Sequence, residues 1–310
     1  MELLFLLLPF FLLGLAVAGI SRISGVAMSM IIVPALLIWG ATPLDVISFM
    51  LLFVLYNNFT VATQNVRLDF KSLTFFPKWK ALIPVLITLA LTFTWPAAGV
   101  AFFIACFILE ISAVVYKGIP SAERPATSEV TTHIVLASVL AAVGALLVPF
   151  ISSDIYFGLA GLAILVLTGF AWYAGEHRDA FRGTWGYIWT IFNFFLGAFG
   201  VEASYYPSGL TRTFTSKLDS MIPIITVVAG FAGIMVVFTT QEMFSIPAFV
   251  AALGAAIGVR LFGVYEFSKR GSFSYLAIAV AVLAVISLYL VSPVPFGFEQ
   301  FNTLLEAPAQ

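Results

Sequence analysis

Arg22 is a cation inside one of the most apolar stretches of the chain, and no other charged side chain lies between Leu3 and Trp39. A charge at the centre of a bilayer costs about 3 kcal/mol on insertion scales, so it usually faces a cavity, a partner or a ligand. Its small and polar neighbours are Gly19, Ser21, Ser24 and Gly25. Such residues can interrupt a helix and expose backbone N–H groups. A cation beside broken helix ends is suited to binding an anion.

Glu202 is the carboxylate best suited to proton coupling, because a carboxyl group in a low-dielectric site holds its proton more readily than in water. A neighbouring Arg22 would oppose this by favouring the charged form. Two interpretations stay open. Arg22 holds an anion through its guanidinium fork, or it pairs with Glu202 as a structural ion pair. A pair that opens when substrate arrives would also act as a gate.

Other polar residues allow two interpretations each. Asn57, Thr60 and Gln64 recur at spacings of three and four, which predicts that they lie on one face of a helix. They either line a polar pathway or form hydrogen bonds to neighbouring helices. Asn193 allows the same two interpretations. Arg212 and Lys217 lie just after segment 186–211, near the inner surface. Their positive charges either form an electrostatic funnel that attracts anions or anchor the chain at the inner membrane surface.

Groups that an enzyme would need are missing from the sequence. It contains no HExxH, no Gly-x-Ser-x-Gly and no paired membrane aspartates. His133 and His177 are expected in loops or at helix ends, and they lack metal-ligand spacing. Cys106 is the only cysteine, which excludes an intrachain disulfide and a multi-cysteine metal site. We therefore expect no catalytic residue, no metal and no cofactor.

The composition indicates a helical membrane protein. Apolar residues make up 62% of the 310 residues and charged residues 9%, whereas soluble domains carry about 25% charged residues. The apolar runs are continuous, which favours helices over an alternating β-barrel pattern. The net charge of −1 implies neither nucleic acid nor an anionic lipid surface as a partner, so membrane lipid and a small ligand remain, with a homodimer left open.

The positive charges predict the orientation of the chain. Lys and Arg collect in the segments 66–80, 117–130, 175–185 and 264–271, and they are absent from the turns at 40–43, 96, 151–153 and 240–244. The positive-inside rule places the first group in the cytoplasm and the second outside, with both termini periplasmic.

Two segments do not fit simple crossings under this orientation. Residues 3–39 would reach about 55 Å as one helix, against a bilayer core of about 30 Å, so they must break near Ser21–Gly25. Residues 186–211 must start and end inside and are too short for two crossings. We interpret both as re-entrant hairpins from opposite faces; the alternative for 3–39 is two ordinary spanning helices with Arg22 at their junction.

The order of segments predicts two inverted repeats. Ala141-Ala-Val-Gly144 is echoed by Ala251-Ala-Leu-Gly254, each in the penultimate helix of its half. One repeat covers 1–175, with an inserted helix pair at 80–116, and the other covers 176–310, within one transmembrane domain. We expect an all-α polytopic fold in which each repeat has a broken hairpin and three spanning helices. This plan is typical of secondary transporters.

The hairpin sequences resemble a known family. Gly19-Ile-Ser-Arg-Ile-Ser-Gly25, followed by Pro34 and Gly40-Ala-Thr-Pro43, is similar to the first repeat of the TauE/SafE sulfite exporter (4-toluene sulfonate uptake permease) family. Gly197–Pro207 and Thr215-Ser-Lys217-Leu218 look like its second repeat. The chain departs from the family in replacing the glycine run by Gly25, Ala27 and Ser29, and in carrying Glu202 and two tyrosines.

The resemblance implies a transporter, most simply an exporter, of sulfite, thiosulfate or small sulfonates in the bacterial inner membrane. We expect the anion at the midplane between the hairpins, bound by Arg22, Ser21, Ser24 and Gly25 from one side and by Ser204 and Tyr205 from the other. The alternatives are a proton- or cation-coupled carrier of another small organic anion, a non-transporting scaffold and an intramembrane enzyme.

Overall fold

The computed structural model describes residues 2–24, 27–63, 82–176, 184–201, 217–241, 245–262 and 275–290. Within these ranges the regular secondary structure is entirely helical and contains no β-strand, as the sequence predicts. The helices are α1 Glu2–Ser24, α2 Met28–Ile38, α3 Pro43–Thr63, α4 Leu82–Thr94, α5 Pro96–Gly118, α6 Thr127–Leu147, α7 Ser153–Glu176, α8 Thr184–Ile191, α9 Asn193–Phe199, α10 Ile222–Gln241, α11 Ile246–Phe262 and α12 Tyr275–Leu290. Short 3-10 turns follow α6 at Val148–Phe150 and precede α10 at Lys217–Met221.

Five helical stretches in the described residues are long and apolar enough to cross a membrane. They are Pro43–Thr63, Pro96–Gly118, Thr127–Phe150, Ser153–Phe170 and Ile222–Thr240. Many of their large apolar side chains are exposed, which in a soluble protein would leave extensive hydrophobic surface in water. The chain is therefore a helical membrane protein.

The first apolar segment breaks where its length requires. α1 ends at Ser24 and α2 begins at Met28, next to the predicted interruption. The ring of Trp39, just after α2, lies 5.4 Å from the ring of Phe10, so α2 runs back along α1 as the second arm of a hairpin. With 11 residues, α2 is about 16 Å long, roughly half of the apolar core of a bilayer.

The helices α8 and α9 cover the first arm of the predicted second hairpin, which is called the second hairpin below. Gly200 ends α9 with φ 67°, a left-handed conformation that disfavours a side chain, and its N–H donates to the carbonyl of Leu196 at 3.2 Å. The second arm, residues 202–216, lies outside the described residues. A re-entrant hairpin at 186–211 therefore stays a prediction.

Each hairpin packs on a helix of the other half of the chain through glycines. A Cβ added to Gly14 of α1 would overlap the carbonyl oxygen of Ala251 in α11, and one added to Gly254 would overlap that of Phe11. The other hairpin makes the same contacts with α6. There the overlaps are Gly197 with the Ala141 carbonyl and Gly144 with the Phe194 carbonyl. The Ala/Gly echo of the sequence thus marks two places where helix backbones touch.

The contacts also give the directions of the helices. α1 runs parallel to α11, because the contacts advance together along both helices: Phe11 with Gly254, Leu15 with Gly258 and Gly19 with Phe262. α8 and α9 run parallel to α6 for the same reason. Tyr187 contacts His133, and further along both segments Gly197 contacts Ala141. α7 and α12 run antiparallel: the Tyr289 hydroxyl donates to the Gly158 carbonyl, and a Cβ added to Gly161 would lie 3.7 Å from Cγ1 of Val285.

α3 and α10 are also antiparallel. The end of α3, at Phe59 and Ala62, packs in one hydrophobic cluster with the start of α10, at Ile224 and Ile225. Of the inserted pair, α4 packs mainly on α5 and buries none of its residues, whereas α5 joins the core through Ile111 and Val115, which pack in the same cluster.

Candidate functional site

The end of α1 lies beside the last turn of α11. A Cβ at Gly19 would lie 3.0 Å from Cε2 of Phe262, the last residue of that helix. Arg22 follows within one turn, so its backbone lies at the same end of the bundle as Arg260, which is exposed in the last turn of α11. The position is thus close to the end of α11 and away from its middle. The Arg22 and Ser24 side chains and Gly25 lie outside the described residues, so anion binding at the midplane stays a prediction.

The start of α2 is the first described part of the chain after the break that follows α1. Ala27 precedes the helix and provides no side-chain cap, and the Met30 N–H donates to the Ala27 carbonyl at 3.1 Å. Ser29, the second residue of α2, is 0% exposed, and its hydroxyl has no hydrogen-bond partner. Sequence reasoning noted Ser29 only as a replacement for a glycine. The signal that could have identified it is its place in the first turn after a break.

Ser21 is half-buried in the last turn of α1 and has interactions of its own. It is the described member of the predicted substrate set. Its assignment as an anion ligand stays a prediction.

The described end of the second hairpin packs on α3 and α7. A Cβ at Gly200 would lie 2.9 Å from Cγ of Met50 and 3.3 Å from Cγ1 of Val46. The ring of Phe199 lies 5.8 Å from that of Tyr156, whose buried hydroxyl has no partner. Glu202, Ser204 and Tyr205 follow immediately in sequence and lie outside the described residues. Their roles stay predictions.

Asn57 lies on the face of α3 that meets the second hairpin. It follows Met50 by seven residues and Val46 by eleven, which are close to two and three helical turns. Asn57 is 5% exposed and has interactions within the protein. Gln64 lies outside the described residues. A pathway along this face stays a prediction, as does the alternative of interhelical hydrogen bonding.

Asn193 and Lys217 lie nearer the start of the second hairpin. The Asn193 amide donates to the Thr190 carbonyl at 3.0 Å, where α8 gives way to α9, so one of its donors stabilises the break between these helices. Lys217 is exposed at the start of a 3-10 turn, as expected for a residue at the membrane surface. Arg212 lies outside the described residues.

His133 is a buried residue of α6, not a residue of a loop or helix end. It is 1% exposed, and its Nδ1 lies 2.7 Å from the Glu129 carbonyl oxygen. Its ring stacks on Tyr187 of α8 at 4.3 Å, while Nε2 has no partner. His177 lies outside the described residues. In the part of the chain that the structure describes, no three His, Cys, Asp or Glu side chains are grouped so that they could hold a metal.

No protein-family model, curated protein or solved structure matches this chain. The functional conclusion consequently depends on the residues and their geometry.

Proposed function

We propose that this protein is a secondary transporter, most simply an exporter, of sulfite, thiosulfate or small organosulfonate anions, which bind between its two hairpins. The observation that carries the proposal is the break between α1 and α2. Arg22 lies in the last turn of α1, six residues before the start of α2, where residue 27 provides no side-chain cap. A fixed cation next to backbone donors favours a small oxyanion over a neutral or cationic substrate.

The proposed architecture is a pair of inverted repeats, 1–175 and 176–310. Its support is the reciprocal packing, in which Gly14 with Ala251 and Gly144 with Phe194 have counterparts in the other half. Helices at equivalent positions of two repeats run antiparallel when the axis relating them lies in the membrane plane, and parallel when the axis is the membrane normal. The antiparallel pairs α3 with α10 and α7 with α12 favour the in-plane axis.

Alternating access follows from this exchange of partners. α1 packs on α11 of the second half, and α9 packs on α6 of the first half. Rocking one half against the other would therefore shift each hairpin relative to its own half, and would open the site to one side at a time. Glycine contacts suit such an interface because backbones can slide with no interlocking side chains.

We further propose an inner-membrane location with the basic loops in the cytoplasm and both termini periplasmic. The support is one hydrophobic cluster that joins the ends of α3 and α5 to the starts of α6 and α10. These ends border segments 66–80 and 117–130 and the residue Lys217. Several basic segments thus lie at one end of the bundle, as the positive-inside rule requires.

Flux through proteoliposomes tests the proposed function. Vesicles containing the purified full-length protein are loaded with sulfite, methanesulfonate or phosphate, and efflux is followed under an inside-negative potential. We expect sulfite or methanesulfonate to leave faster than from protein-free vesicles, with phosphate efflux close to background. Equal, background-level efflux of all three anions would contradict the assignment.

A further inference from the structure

The first turn of α2 is buried within the protein. Ala27, Met28, Ser29 and Met30 are each at most 1% exposed. The first N–H groups of a helix have no intrahelical acceptor, and here residue 27 offers no side-chain cap. A buried helix start in a membrane protein needs another acceptor for these donors, because neither lipid nor bulk water can supply one.

The Ser29 hydroxyl is a second, independent sign of a missing acceptor. Many hydroxyls in these helices donate to the carbonyl four residues earlier, as Ser112 does to Ile108 at 2.6 Å and Thr226 to Ile222 at 2.9 Å, although Ser48 and Ser138 do not. For Ser29, α2 begins only one residue earlier, so no carbonyl of α2 lies four residues before it. Its Oγ is consequently buried without a partner. Most buried polar groups in proteins do have one.

The hydroxyl and the helix start face the same place. The Cβ atoms of a helix tilt towards its N-terminus, so the Ser29 side chain lies over the first turn of α2. The N-terminus of a helix also carries a positive partial charge, which favours a negatively charged ligand. The Ser29 hydroxyl and the N–H groups of the first turn can therefore donate hydrogen bonds to the same ligand. The first turn of α2 contains no acidic residue that would repel an anion.

We propose that the first turn of α2 is an oxyanion subsite, in which Ser29 Oγ donates one hydrogen bond to an anion oxygen and the helix start supplies the others. The inference rests on the proposed function and deepens it, because it names the groups that would hold the oxygens while Arg22 balances the charge. A small oxyanion with several acceptor oxygens, such as sulfite, a sulfonate or phosphate, fits this set of donors. Ser29 is then a selectivity residue absent from the predicted substrate set.

Ser48 provides a matched control. Like Ser29 it is 0% exposed with an unpartnered hydroxyl, but it lies in the second turn of α3, beyond the residues that begin the helix. The variants Ser29→Ala and Ser48→Ala each remove one buried hydroxyl and leave the side-chain size almost unchanged. Neither hydroxyl has a protein partner to lose, so we expect both variants to fold and melt no lower than the wild type without anions.

The test is anion-dependent thermal stabilisation of the purified full-length protein, in detergent without added phospholipid, so that free anions are the only oxyanion source. Sodium sulfite and sodium phosphate are titrated against sodium chloride at matched ionic strength. We expect sulfite to raise the melting temperature of wild type and Ser48→Ala alike. In Ser29→Ala the sulfite dissociation constant should rise about tenfold or more, as expected for a lost hydrogen bond to a charged group.

The possible outcomes distinguish failure of the proposed subsite from failure of the proposed substrate class. Full sulfite binding by Ser29→Ala, or an equal loss in Ser48→Ala, would overturn the subsite and leave the proposed function standing. Stabilisation of the wild type by phosphate alone, lost in Ser29→Ala, would support the subsite and overturn the proposed substrate class. Stabilisation by neither anion would overturn the subsite.

Discussion

Gly197 packs so closely against Ala141 that any Cβ at position 197 would overlap the Ala141 carbonyl oxygen. Gly14 meets Ala251 in the same way, at the corresponding place in the other half of the chain. The neighbouring contacts also correspond, since Phe11 precedes Gly14 by three residues and Phe194 precedes Gly197 by three. The helices α1 and α9 are therefore held by the same kind of backbone contact.

Substituting these glycines should disturb both hairpins equally. In Gly14→Ala and Gly197→Ala the new methyl group meets backbone atoms, which cannot move aside as a side chain can, so we expect a loss of stability of about 1–3 kcal/mol in each. Thermal melting of the purified variants measures it. Gly169→Ala is the control, because a Cβ there has open space, and it should melt at or above the wild-type temperature. A wild-type melting temperature in either hairpin variant would contradict the packing.

Gly200→Ala should destabilise the described end of the second hairpin for two reasons. Its φ of 67° disfavours a side chain by about 1–2 kcal/mol, and its Cβ would lie 2.9 Å from Cγ of Met50. Combining it with Met50→Ala should relieve the contact but not the backbone strain. In denaturation experiments we expect the double variant to lose less than the sum of the two single losses. Strict additivity would argue against the contact.

Tyr156→Phe should be neutral or stabilising, by up to about 1 kcal/mol, because it removes a buried hydroxyl without a partner and keeps the ring against Phe199. Tyr156→Ala should instead lose about 3–5 kcal/mol, since it empties a fully buried site. Melting curves of both variants give the comparison. A clear loss of stability in Tyr156→Phe would reveal a partner for the hydroxyl.

Cysteine labelling checks the orientation. In a Cys106→Ala background, Ser121→Cys lies in the loop between α5 and α6, and Ser152→Cys lies in the turn before α7; both positions are exposed. With basic loops in the cytoplasm, a membrane-impermeant maleimide added to intact spheroplasts should label residue 152 and leave residue 121 unlabelled until the membrane is lysed. The reverse pattern would invert the proposed topology.

Sequence reasoning predicted the features that follow from length and composition. The helical membrane class follows from continuous apolar runs, and the break near Ser24 follows from a segment too long for one crossing. The Ala/Gly echo predicted related helices, since small residues are needed wherever membrane helices touch. These arguments use local properties, which a sequence carries directly.

The rest depends on contacts between distant segments. Nothing local to Gly14 shows that it meets Ala251, because that pairing arises when helices of different halves assemble. The unpartnered Ser29 hydroxyl follows from the residue at which α2 begins, and helix ends are set within one or two residues by the whole fold. His133 looks like a loop-end residue until Tyr187 is stacked on it.

The most direct test of the transporter account compares Arg22→Gln with Arg260→Gln. Both variants remove one cation at the same end of two adjacent helices, but only Arg22 precedes the helix break. In proteoliposomes with equal amounts of folded protein, we predict that Arg22→Gln lowers sulfite efflux about 10- to 100-fold, as expected for a lost charge-assisted pair, while Arg260→Gln stays close to wild type. Wild-type efflux in Arg22→Gln, or an equal loss in both variants, would contradict the assigned role.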